Sequence, residues 1–139
     1  MTTKEDGFSA DERAAMRQAA SERKRSQAGK NGEAEALAAI AAMDDHDRLI
    51  AEGLHALVRR ELPELTSKTW YGFPAYCKDG KVVFFYQFAA KFKTRYGHIG
   101  FQDVAHLDDG AMWPTAFAVT EWTDEVQARV ADLIRRAVG

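Results

Sequence analysis

With 139 residues and a mass of 15.5 kDa, the chain has the size of one domain and is long enough to bury its own core. Hydrophobic residues make up 46% and charged residues 29%, a balance that excludes wholesale disorder. The net charge of −2 excludes a global field that would draw in nucleic acid or an anionic membrane. A single cysteine, Cys77, excludes a disulfide framework and any multi-thiolate metal site.

Residues 1–11 lack the apolar core of a signal peptide, and the longest apolar stretch, residues 36–43, is far too short to span a bilayer. With one thiol, the expected compartment is the reducing cytoplasm, and no membrane contact is expected. Residues 1–32 read as a polar helical N-terminal extension. Ser9 and Glu12 form a capping box, and Met16 is the only large apolar side chain that follows before Gly29-Lys30-Asn31-Gly32, which should break the helix. The Glu22-Arg23-Lys24-Arg25 run reads as a solvated helix face, because acids are interspersed.

The main domain is expected over residues 33–139. Residues 33–43 predict a short helix ending at Asp44-Asp45, one of which caps a second helix that Pro63 stops. Leu49, Ile50, Leu54, Leu57 and Val58 recur at helical spacing and predict its buried face. From Thr69 the pattern turns to strand: residues 70–77, then an Asp79-Gly80 type I′ turn, then residues 82–88. Residues 93–101 and 115–120 predict two further strands, with a helical turn over 102–107. Thr123 or Asp124 caps a last helix whose apolar side is Val126, Val130, Leu133, Ile134 and Ala137.

A two-residue loop at Asp79-Gly80 fixes a register. Cys77 with Val82, Ala75 with Phe84, and Phe73 with Tyr86 would share one face. Tyr76 with Val83, Pro74 with Phe85, and Trp70 with Ala89 would share the other. Pro74 has no N–H for such a ladder, so the ladder should bulge or end near it, with the first strand at a sheet edge. The run Val-Val-Phe-Phe-Tyr does not alternate, so both faces of that strand should be covered. One face takes the helices. The other, with Trp70, Tyr76, Val83, Phe85 and Trp113, is the candidate surface for a ligand or partner.

Familiar catalytic and nucleotide-binding motifs are absent: no dinucleotide fingerprint, phosphate loop, nucleophile elbow or zinc-protease helix. Cys77 is the one thiol nucleophile to weigh, with His98 or His106 as its base, and a buried unreactive cysteine is the simpler reading. His46 and His55 point to opposite sides of one helix, so the histidines make no metal motif. Lys91-Phe92-Lys93-Thr94-Arg95-Tyr96, set on a strand, would divide its cations and rings between two faces. A stacking platform needs both on one surface, so no nucleic-acid contact is expected there.

Trp70-Tyr71-Gly72-Phe73-Pro74-Ala75-Tyr76, Lys78-Asp79-Gly80-Lys81-Val82-Val83 and Asp108-Asp109-Gly110-Ala111-Met112-Trp113-Pro114 resemble the YdhG-like family of bacterial domains. The resemblance spans about residues 44–138. It implies an α+β fold, in agreement with the residue-level reading: two layers, with an antiparallel sheet of about four or more strands packed against helices. The family includes a frataxin-like iron chaperone, but its characteristic residues are turn formers and aromatics, so no catalytic or metal residue carries over. The leading expectation is a non-enzymatic binding domain without a cofactor, its partner an unknown protein or small molecule. The alternative is an iron chaperone that binds ferrous iron weakly through exposed carboxylates such as Asp44, Asp45 and Asp47.

Overall fold

The computed structural model describes residues 10–139, with side chains described throughout from residue 31 and only at some positions before it. Ser9 of the expected capping box and the side chains of the Glu22–Arg25 run lie outside what is described. Among the described residues, four helices and five strands follow in the order α1 (Ala10–Ala41), α2 (Asp45–Glu61), β1 (Thr66–Trp70), β2 (Phe73–Lys78), β3 (Lys81–Gln87), α3 (Ala89–Phe92), β4 (Gly97–Phe101), β5 (Ala116–Val119) and α4 (Asp124–Val138). The strands form one antiparallel meander in sequence order. The architecture is α+β, as the sequence predicts.

Local chemistry explains most element ends. Asp44 caps α2 through the Asp47 N–H, and Thr123 caps α4 through the Val126 N–H. On α2, Ile50, Leu54, Leu57 and Val58 are buried as expected, but Leu49 is 65% exposed and lies off that face. Helix α1 runs unbroken through Gly29–Gly32, contrary to the expected break. Gly32 lies against the Ser67 carbonyl of β1, where any Cβ would collide, so the glycine serves close packing there and does not end the helix.

Two hairpins need positive φ. Asp79 and Gly80, at 52° and 80°, make the expected two-residue turn. Tyr71 and Gly72, at 53° and 84°, make a second one that splits the expected residue 70–77 strand into β1 and β2. Strand β1 is therefore the edge, and β2 lies inside the sheet, correcting the expectation for the Pro74 strand. Pro74 pairs with Thr69 on β1, while the β2–β3 register stops at Ala75. The ladder thus ends beside the proline, as its missing N–H requires.

The bulge lies elsewhere. Cys77 pairs with Val82 but Tyr76 pairs with Phe84, so Val83 is the extra residue. Beyond it every β3 side chain is displaced by one position relative to the simple register. Tyr76, Phe84 and Phe101 now share the face that meets the helices, as do Tyr86 and Ile99. Ala75, Phe85 and Phe73 occupy the opposite face with Trp70.

The core lies between the sheet and α1, α2 and α4. A polar seam joins three of its elements. His55 Nδ1 lies 3.0 Å from the Tyr76 hydroxyl, and its Nε2 lies 3.2 Å from Glu33 of α1. Arg59 approaches the same carboxylate at 3.4 Å. Burial lowers the proton affinity of His55, outweighing the opposing pull of Glu33. The unfolded chain then binds a proton that the folded chain resists, so stability falls as pH drops below the ordinary imidazole value of 6.5. Urea midpoints of the native chain should therefore decrease from about pH 7.5 to about pH 5.5, and His55→Gln should flatten that slope.

Candidate functional site

The outer face of the sheet is organised by register. Lys68, Ala75, Phe85, Gly100 and Ala116 form one row across all five strands. Gly100 leaves the space that the Phe85 ring fills, since a Cβ there would collide with it. Around this seat the rings touch in sequence: Trp70 lies 5.3 Å from Phe85 and 4.9 Å from Tyr71. Phe73 lies 5.2 Å from Phe85 and 6.0 Å from Phe92 of α3. His98 closes the far side, 6.1 Å from Phe85 in an edge-on contact.

Exposure grades across this cluster. Phe73, Ala75 and Phe85 are buried and form its floor, whereas Tyr71 is 73% and Phe92 40% exposed and form its rim. Both faces of β3 are thus covered, as its lack of alternation predicts. The cover on the outer side comes from the chain's own rings, because α1, α2 and α4 pack on the other side.

Helix α3 supplies the rim, and Asp47 of α2 holds it there. The Ala89 N–H donates to Asp47 Oδ1 at 3.3 Å and the Ala90 N–H to Oδ2 at 3.1 Å. The residue before α3, Phe88, makes no side-chain cap, so Asp47 caps this helix from another element. The Tyr86 hydroxyl donates to the same carboxylate at 3.5 Å. Burial and the Asp47 charge push the Tyr86 phenol well above its ordinary range, which keeps it a donor.

This geometry corrects the expectation for residues 91–96. Lys91 and Phe92 lie on a helix, Lys93 is its left-handed C-cap at φ 55°, and Thr94–Tyr96 lead into β4. The Lys91 ammonium donates to the Tyr71 carbonyl and lies 5.7 Å from the Phe92 ring centre. The Arg95 guanidinium lies 4.8 Å from the Tyr96 ring centre. Rings and cations that alternation would separate are brought side by side.

The five residues of the expected surface do not assemble. Trp70 and Phe85 lie in the outer cluster. Tyr76 and Val83 are sealed in the core against the helices together with Phe84, and the bulge at Val83 puts Phe85 on the opposite face. Trp113 lies elsewhere, on a cleft of about 570 Å³ shared with Phe101, Met112, Asp103 and Asp108. Tyr71, Phe73 and Phe92 join the site without having been expected there. Their one sequence signal is the density of aromatics about Gly72 and Lys91.

The three aspartates of the alternative reading are not a common exposed cluster. Asp44 caps α2 and Asp45 pairs with Arg48 at 2.7 Å. Asp47 is 2% exposed, with its carboxylate taken by Ala89, Ala90 and Tyr86, which corrects its expected exposure. Among the described residues no three His, Cys, Asp or Glu side chains converge as a metal site. Cys77 is buried, and burial raises its thiol above the ordinary value against a smaller pull from Lys68. The two histidines weighed as its base are engaged elsewhere, His98 beside Phe85 and His106 near Gly139. No helix among the described residues is long and apolar enough to cross a membrane.

Asp47→Ala should leave two amides and a phenol without their acceptor, costing about 3 kcal/mol in urea unfolding. Amide hydrogen exchange in α3 should accelerate in that variant more than in α4, and equal acceleration would show that Asp47 does not act through α3.

Comparison with protein-family models, with curated proteins and with solved structures gave no match.

Proposed function

We propose that this chain is a non-enzymatic, cytoplasmic binding domain of the YdhG-like type, and that it engages its ligand on the outer aromatic face. One observation carries the reading: a continuous ring cluster with a buried floor and an exposed rim, on the side of the sheet away from the helices. Large exposed rings are costly to leave in water, and a ligand that covers Tyr71 and Phe92 recovers that cost. The glycines of the resembling motifs stand at turns. Gly72, Gly80 and Gly110 all have positive φ, where only glycine is free of strain.

A ligand of this face stacks on rings and meets cations at its border. Anilinonaphthalenesulfonate, a flat anionic aromatic, is a suitable probe. The folded chain should enhance its fluorescence, and Tyr71→Asn with Phe92→Ala should remove most of that signal while circular dichroism stays unchanged. Asparagine suits the left-handed backbone at residue 71, so the ring is lost without straining the turn. An equal signal from the double variant would overturn the assignment of the ligand to this face.

A further inference from the structure

Charge is segregated within this acidic chain. Residues 66–101 carry six Lys or Arg and a single acid, Asp79. This segment is net +5 in a chain of net −2, which leaves −7 on the remainder. It also builds the outer ring cluster, although Lys78 and Lys81 lie on the helix side beside Val138, which leaves four cations for the outer face. Lys68 stands in the same cross-sheet row as Phe85, Lys91 reaches over to the Tyr71 carbonyl, and Lys93 and Arg95 follow directly after Phe92. Asp79 sits at the tip of the β2–β3 turn.

We infer that the outer face is a site for single-stranded nucleic acid, in which bases stack on Tyr71, Phe92 and Tyr96 while Lys68, Lys91, Lys93 and Arg95 meet the phosphates. The inference rests on the proposed role of this face and names its ligand. The two components serve different parts of a strand. Exposed rings accept the flat side of any base, and cations beside those rings, Lys91 by Phe92 and Arg95 by Tyr96, can meet a backbone that carries one charge per nucleotide. A small uncharged ligand would use the rings but leave four cations without a purpose. A double helix hides the faces of its bases and offers nothing to the rings. Neither the net charge of −2 nor strand alternation, the two sequence features that speak against nucleic acid, describes this surface.

The test is fluorescence anisotropy of a labelled thymidine oligonucleotide of about twelve residues, with an RNA of matching length and a polyphosphate as comparators. The full chain should bind both oligonucleotides, and binding should weaken about thirtyfold from about 50 to about 200 mM salt if three or four phosphates are met. Tyr71→Asn and Phe92→Ala should each weaken binding roughly tenfold with the salt slope unchanged. Lys93→Asn and Arg95→Gln should instead flatten the slope, by about 0.7 for each charge removed. Asparagine again suits the left-handed position, so Lys93→Asn keeps the α3 cap. No binding at low salt, equal affinity for polyphosphate, or insensitivity to both ring variants would overturn the inference. So would loss of binding on neutralising Arg23, Lys24 and Arg25 alone. If anilinonaphthalenesulfonate still reports the face while the oligonucleotides do not bind, the surface stands and only its ligand is refuted.

Discussion

A buried carboxylate on α2 accepts the two amides that begin α3, and the candidate site depends on this contact. The segment after β3 has little reason of its own to turn helical, since four residues cannot cover the cost of starting a helix. Asp47 supplies what is missing by accepting two orphan amides from 42 and 43 residues along the chain. Because α3 forms, Phe92 reaches Phe73 and Lys91 reaches the Tyr71 carbonyl. The alternation of a strand would have put the rings and cations of residues 91–96 on opposite sides.

A second constraint decides which rings are available. One extra residue in β3, Val83, exchanges the two faces of the β2–β3 ladder beyond the turn. Tyr76 is carried inward, where His55 satisfies its hydroxyl, and Phe85 is carried outward onto Gly100. The inward side is coherent chemistry: a phenol that no solvent reaches must find a partner, and α2 brings one. The outward side is equally coherent, because the large Phe85 ring needs a position without a Cβ opposite, which β4 provides. The bulge therefore satisfies both faces at once.

Floor and rim divide the work of the outer face. Phe73, Ala75 and Phe85 are packed as tightly as core, so the surface keeps its shape without a ligand. Tyr71 sits in a tight turn and Phe92 ends a pinned helix, so the exposed rings are held in place by backbone as well as by contact. Order established before binding lowers the entropy lost on binding. The acidic remainder of the chain keeps the basic segment a local feature, not a property of the whole molecule.

How much of this was legible differs by kind of information. Local signals sufficed where the physics is local. Asp44 and Thr123 as caps, the Asp79-Gly80 turn, the stop at Pro63, and the apolar sides of α2 and α4 follow from neighbours a few residues apart, as does the α+β class. The covering of both faces of β3 also followed, because an unbroken apolar strand cannot have water on either side. Sequence could not place the bulge at Val83, since the patterns with and without it are both apolar and only packing against the helices and Gly100 selects one. Nor could it read the Tyr71-Gly72 turn, whose first residue is a poor turn former that the aromatic cluster holds in place. Asp47 looked like one of three surface acids because its partners lie far along the chain. Contacts between distant segments carry no local signature, and the three-dimensional fold alone assigns them.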